Sequence, residues 1–174
     1  HRGLDIRSLA RVFVKTIVLG DRSQGGGSTI SQQLARNLYH RSDYGKFTLP
    51  INKVREIFIS ARLEKVYSKD EVLALYLNTV PFGDNTYGIE VASQRFFGKA
   101  SAQLNPAEAA TIVGMLAANT AYNPRVNPEK SLQRRNIVLD RMASQGVISQ
   151  EEAKKYQNQP IRLNYRKLDY NNGP

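Results

Sequence analysis

The 174 residues include no cysteine, which excludes a disulfide scaffold and a thiolate metal site. Long apolar runs are also missing, and no stretch is extended enough to span a bilayer. Histidine is scarce: His1 and His40 stand alone, and neither reads as a metal ligand. Acidic residues number 15 against 25 Lys and Arg, leaving a formal net charge of +10. Such a surplus suits an anionic partner, whether nucleic acid, an acidic membrane surface or a phosphorylated substrate, although it also serves plain solubility. What remains is ordinary for a folded domain. The apolar share is 41%, which excludes disorder over most of the chain, and the length suits one domain with a real core. No signal-peptide pattern is seen. The sequence opens on His1 rather than methionine, and the expectation is that any membrane anchor lies before it.

The pattern predicts a mainly helical chain. A basic amphipathic helix is expected over residues 5–19, capped by Asp5 and stopped by Gly20, with Leu9, Val12, Phe13 and Ile17 among Arg7, Arg11 and Lys15. It suits a packed surface helix or one lying on a membrane. After a loop over 21–27, a second helix opens at Ser28 or Thr29, with Gln32 placed to complete a capping box. Residues 40–49 read as a flexible loop. Pro50 opens a third helix to about residue 66, and Ser68 with Glu71 boxes the next. A loop follows over 79–87, then a helix over 88–97. Asn105, Pro106 and Glu108 start another; Asn127 and Pro128 begin a long one stopped by Gly146, and Ser149 with Glu152 begins the last. From Pro160 onward the chain is extended and polar, as in a linker, so the domain is expected to occupy 1–159 and a linker 160–174.

Two segments carry chemistry. In GGGSTISQQLARN, which starts at Gly25, the glycines allow backbone amides to crowd one point just before a helix N-terminus. Gly26, Gly27, Ser28 and Thr29 would offer donors, and Arg36, two turns on, a full charge. The segment favours an anion such as phosphate, although it also suits a loop with a plain N-cap. The Gly-Lys-Ser/Thr ending of a nucleotide-binding loop is absent. Gln32 and Gln33 face different sides, and Gln33 shares a face with Arg36 and Asn37. On the third helix, Val54, Ile57, Phe58 and Ala61 form one apolar arc and Ile59 with Leu63 another. Between them runs a stripe of Lys53, Glu56, Ser60 and Glu64. Burial of both arcs would leave the stripe lining a cleft, with the Glu56 carboxylate partly desolvated beside Leu63. The plainer reading is a Lys53–Glu56 helix pair, stabilising by about 0.2–0.5 kcal/mol.

These residues resemble the peptidoglycan glycosyltransferase domain of class A penicillin-binding proteins. GGSTISQQLARN is similar to that family's second motif, with Ser31 for the usual Thr and Arg36 for the common Lys. Asn52, Lys53, Val54, Arg55 and Glu56 are similar to its Arg-Lys-x-x-Glu motif, with Asn52 in the place of the Arg, which removes one cation. YSKDEVLALYLNTVPFG and RRNIVLDRM are similar to two further regions, and the likeness covers nearly the whole chain. Of the first motif only His1 and Gly3 are present; the family's principal catalytic Glu would lie just before His1. The resemblance implies a lysozyme-like large lobe with a small membrane-facing lobe holding the first helix and its following loop. It implies polymerisation of lipid II into β-1,4 glycan strands with release of undecaprenyl pyrophosphate, at the outer face of the cytoplasmic membrane, in a setting that suits a cell-wall synthesis complex.

Under that reading Glu56 is the catalytic candidate within this chain. Lys53, Arg55, Arg36, Gln33, Ser28, Thr29, Gly26, Gly27, Asn37 and His1 are the substrate-binding candidates. Partners are lipid II, the growing glycan and the membrane surface. No cofactor is required, although Mg or Mn would suit a bridge from Glu56 to the pyrophosphate. Three other readings compete. A lysozyme-like hydrolase has less need of the cations. A nucleic-acid module would gather its Lys and Arg on one surface, whereas here they are scattered over several helices. A catalytically weak member of the same family is suggested by Asn52.

Overall fold

The computed structural model describes residues 29–39 and 41–166. The expected helix over 5–19, the loop after it, and His1, Gly26, Gly27 and Ser28 lie outside these residues. Among the described residues the fold is helical, as the sequence pattern predicts, with no pairing beyond an antiparallel bridge between Pro81 and Tyr87.

Helix α1 (Ile30–Leu38) starts at Thr29, whose hydroxyl accepts from the Gln32 amide at 3.2 Å. The expected capping box does not close, because the Gln32 side chain turns outward to the next helix and accepts from Lys53 Nζ at 3.2 Å. Leu34 and Ala35 are the buried face of α1 and lay it against α2 (Thr48–Val66) and α3 (Lys69–Thr79). Residues read as a flexible loop instead contain a 3₁₀ turn, η1 (Gly45–Phe47), and α2 begins at Thr48, ahead of Pro50. Pro50 is tolerated there because the amides of a helix's first turn have no intrahelical acceptor to lose. The Ser68–Glu71 box is present at the start of α3.

Beyond α3 the chain turns back on itself between Pro81 and Tyr87. Asp84 and Asn85 both take positive φ, and Thr86 N donates to Gly83 O at 2.8 Å, the geometry of a tight hairpin turn. Gly88 follows with φ +84, and a Cβ there would meet Asn78 O at 2.6 Å, so only glycine fits this approach. Helices α4 (Ile89–Phe97), α5 (Pro106–Met115), α6 (Pro128–Ser144) and α7 (Gln150–Gln157) complete the order, with a 3₁₀ turn at Ser101–Gln103.

α5 is the centre of the large core. Every residue from Ala109 to Met115 is buried, matching a sequence apolar all round. Gly114 lets α6 approach, since a Cβ there would meet the Arg134 side chain at 3.1 Å. Arg135 on α6 is 1% exposed and closes the end of α7, donating to Gln157 O at 3.1 Å and Gln159 O at 2.8 Å. Orphan carbonyls at a helix C-terminus favour such a cation.

The faces of α2 are the main departure from expectation. Its buried residues are Asn52, Glu56 and Ser60, whereas Val54, Ile57 and Phe58 are 53%, 46% and 70% exposed. Burial of both apolar arcs is thus incorrect: only Leu63 packs on the core, because α1 lies against the polar stripe rather than either arc. The segment from Pro160 is extended, as read from its composition, and lies back on α4, with Asn164 N bonded to Phe96 O and Arg166 N to Arg95 O.

Candidate functional site

Glu56 is the centre of the arrangement, with its side chain 8% exposed. A carboxylate there needs partners, since an unpaired buried charge is costly. Arg41 supplies them on one side, donating from Nε at 3.0 Å and from Nη2 at 2.9 Å to the same oxygen, Oε1. Lys53 Nζ stands 3.8 Å from the other oxygen, one turn back on α2. Lys53 also joins α1 through its bond to Gln32. Two cations therefore share one carboxylate.

The loop that carries Arg41 is held by the start of α2. Asn52, 2% exposed, uses its whole amide for this: Oδ1 accepts from Ser42 N at 3.3 Å, and Nδ2 donates to Ser42 O at 2.8 Å and Thr48 O at 2.7 Å. Asp43 reinforces the turn, accepting from Gly45 N and the Thr48 hydroxyl at 2.9 and 2.8 Å. The Thr48 hydroxyl, with help from the Gly45 amide, holds the Asp43 carboxyl below the usual carboxylate value. The cation expected to be lost through Asn52 is thus replaced at Glu56 by Arg41, a residue with no periodic signal in the sequence.

The other candidates divide between this cluster and its surroundings. Gln33 faces a different side of α1 from Gln32, as adjacent positions on a helix do, and its Oε1 accepts from the Tyr76 hydroxyl at 3.1 Å. Burial pushes the Tyr76 phenol up to about 12, against the pull of the Arg36 charge, so it is a neutral donor at ordinary pH. Arg36 is exposed on the same side, and Asn37 is half-buried. Arg55 is exposed and lies over the Tyr39 ring, 5.8 Å from its centroid. Thr29 spends its oxygen on the cap of α1 and, with Ile30 and Ser31, lines a cavity of about 590 Å³. Glu64, Lys69 and Leu73 line it from α2 and α3.

A divalent cation at Glu56 would compete with Arg41 and Lys53 for the same two oxygens. Among the described residues no three His, Cys, Asp or Glu stand together as ligands.

The fold thus sets two cations on one sunken carboxylate, and the Lys53–Gln32 bond joins that cluster to the first turn of α1. The family model described as Transglycosylase matches residues 1–143. The chain is 39% identical over 165 residues to penicillin-binding protein 1A of Pseudomonas aeruginosa, covering 95% of this chain and 20% of that protein. It is 36% identical over 167 residues to penicillin-binding protein 1F of Bacillus subtilis, covering 96% and 23%. The crystal structure of penicillin-binding protein 1A from Haemophilus influenzae superposes with a TM-score of 0.50 at 27% identity, covering 79% of this chain and 17% of that one. The chain belongs to the transglycosylase family, and it spans about a fifth of the length of the curated relatives it matches.

Proposed function

We propose that this domain is a peptidoglycan glycosyltransferase that polymerises lipid II into β-1,4 glycan during cell-wall synthesis. In that reaction the 4-hydroxyl of one lipid-linked disaccharide attacks the anomeric carbon of the strand. The bond from that carbon to the pyrophosphate oxygen breaks, and the lipid pyrophosphate leaves with the electron pair. A general base takes the hydroxyl proton; the family resemblance puts it before His1. The single observation that carries the reading is the cation cluster on Glu56. Donors fixed where charge develops are usually the largest catalytic contribution, and a leaving pyrophosphate develops such charge. Lys53, which Glu56 holds at 3.8 Å, and the exposed Arg55 and Arg36, which do not touch Glu56, are the donors we assign. A hydrolase acting on a finished strand has no pyrophosphate to neutralise, so the same cations argue against it.

Polymerisation of lipid II by the full-length protein in detergent, beside Glu56→Gln, tests this. We expect long glycan from the parent and a loss of roughly 10²-fold or more in the variant. A folded parent that makes no glycan sinks the function. An unaffected variant removes Glu56 from the site.

The exposed arc of α2 supports the membrane as the working surface. Val54, Ile57 and Phe58 are all exposed with Lys53 and Arg55 on either side, an apolar face with cations at its edge. No helix among the described residues is long and apolar enough to cross a membrane. In this reading the domain rests its α2 face on the outer leaflet of the cytoplasmic membrane, where its lipid-linked substrate lies. Replacing Ile57 and Phe58 by Ser should release the protein from anionic phospholipid vesicles in co-sedimentation; unchanged binding would assign the contact elsewhere.

A further inference from the structure

We infer that Arg41 is a pyrophosphate-binding residue of this domain and that Asn52 is the positioning residue that delivers it; the inference rests on the function proposed above. The argument starts from how the guanidinium is spent. Arg41 places both of its bonds on one oxygen of Glu56, and its side chain is 39% exposed. Exposure alone does not mark a pyrophosphate-binding residue, since Arg125 on Asp84 is 47% exposed. The crowding of one oxygen does, because Arg125 forks across both oxygens of its carboxylate, and the core arginine is spent differently again. Arg135 is 1% exposed, and its bonds go to two backbone carbonyls and the Asn136 side chain. Arg41 is oriented by Glu56 and still open to solvent, the condition in which a guanidinium takes a phosphate oxygen.

Its surroundings favour the same ligand. Lys53 stands at the other oxygen of Glu56, so an arriving anion meets two cations set on one carboxylate. Fixing the carboxylate between them also keeps two like charges close without an anion bound, which lowers the reorganisation needed when one arrives.

Asn52 explains why the loop is in place. Its buried amide makes three bonds to the backbone of Ser42 and Thr48, close to the four that an amide can make. Ser42 is the next residue after Arg41. The stripe of α2 thus contributes an amide instead of a cation at this position, and the amide fixes the chain that brings the cation in.

The test uses the full-length protein in detergent and reads two quantities: binding of inorganic pyrophosphate by calorimetry, and kcat and KM for glycan polymerisation. Arg41→Ala should weaken pyrophosphate binding by at least about tenfold and lower kcat/KM by roughly 10²-fold, with Arg41→Lys between it and the parent. Asn52→Ala should lower kcat/KM by roughly tenfold through misplacement of the loop. It should add little in the Arg41→Ala background, since the two act as one unit. Thermal unfolding checks each variant, and Arg41→Lys with Asn52→Ala carry the test if Arg41→Ala does not fold. Pyrophosphate binding and kcat/KM at parental levels in the folded Arg41 variants would overturn the assignment, and additive losses would overturn the role of Asn52. A parent that binds pyrophosphate but makes no glycan would end the proposed function while the Arg41 result stood; a parent that makes glycan equally well with Arg41→Ala would do the reverse.

Discussion

Two sunken carboxylates in this domain are each gripped by an arginine, and they are arranged for different ends. Asp84, at the hairpin after α3, has its side chain 10% exposed. Both of its oxygens are filled: Oδ1 accepts from Asn123 and Arg125 at 3.2 and 3.0 Å, Oδ2 from Arg125 and the Tyr165 hydroxyl at 2.8 and 2.9 Å. Arg125 forks across the two oxygens, the geometry of a strong paired contact. The Tyr165 ring lies between Arg95 and Arg125, 5.1 and 5.4 Å from their guanidinium carbons, and against Phe96. At Glu56, by contrast, one guanidinium crowds a single oxygen and a lysine stands 3.8 Å from the other. The first cluster fastens residues 161–166 to the body. The second sets Arg41 and Lys53 on the two oxygens of one carboxylate. The same pair of side-chain types thus ties distant chain segments together in one place and gathers cations at the start of α2 in the other.

The sharpest way to break this contrast is to neutralise each carboxylate and read both stability and activity. Asp84→Asn should cost about 1–3 kcal/mol of unfolding free energy, because it removes a charge-assisted fork and leaves Arg125 without its partner. Polymerisation by the folded fraction should be nearly unchanged. Glu56→Gln should do the opposite, losing activity far in excess of any fall in melting temperature. Denaturant unfolding at one protein concentration, run beside the polymerisation assay, decides it. If Asp84→Asn abolishes activity while unfolding like the parent, the hairpin cluster belongs to the site and the division drawn here fails.

The helix starts were legible because capping is local. Thr29, Ser68 with Glu71, Asn105 with Glu108 and Ser149 with Glu152 all begin helices where the sequence places them. The family was legible too, through motifs in order along most of the chain. The faces of α2 were not. Periodicity shows that a helix has arcs, but which arc meets a partner depends on where α1 lands, and α1 lands on the polar stripe. Arg41 was missed because it reaches Glu56 from fifteen residues away, out of a stretch with no period of its own. The Asp84 cluster was missed for the same reason on a longer scale, since Arg125 and Tyr165 lie 41 and 81 residues along the chain. Long-range polar pairing leaves no trace in local pattern.

A smaller effect separates the two clusters by pH. The Asp84 carboxyl is held below its ordinary value of 3.8, first by the Arg125 hydrogen bond, with further help from Tyr165, the Arg125 charge and Asn123, and with burial opposing. A group whose folded value is depressed adds stability that is complete above the unfolded value and is lost as pH falls through the folded one. The unfolding free energy of the parent should therefore exceed that of Asp84→Asn by a steady margin near neutrality, and the margin should shrink once the pH drops below 3.8. Asp43 and Glu90, held low by the hydroxyls and amides of neighbouring residues, titrate in the same acid range but are common to both proteins and cancel in the difference. Urea unfolding at stepped pH measures that difference directly. A margin that stays constant into strong acid would mean that the amide keeps what the carboxylate provides, and that the Asp84 cluster is held by its hydrogen-bond geometry rather than by its charge.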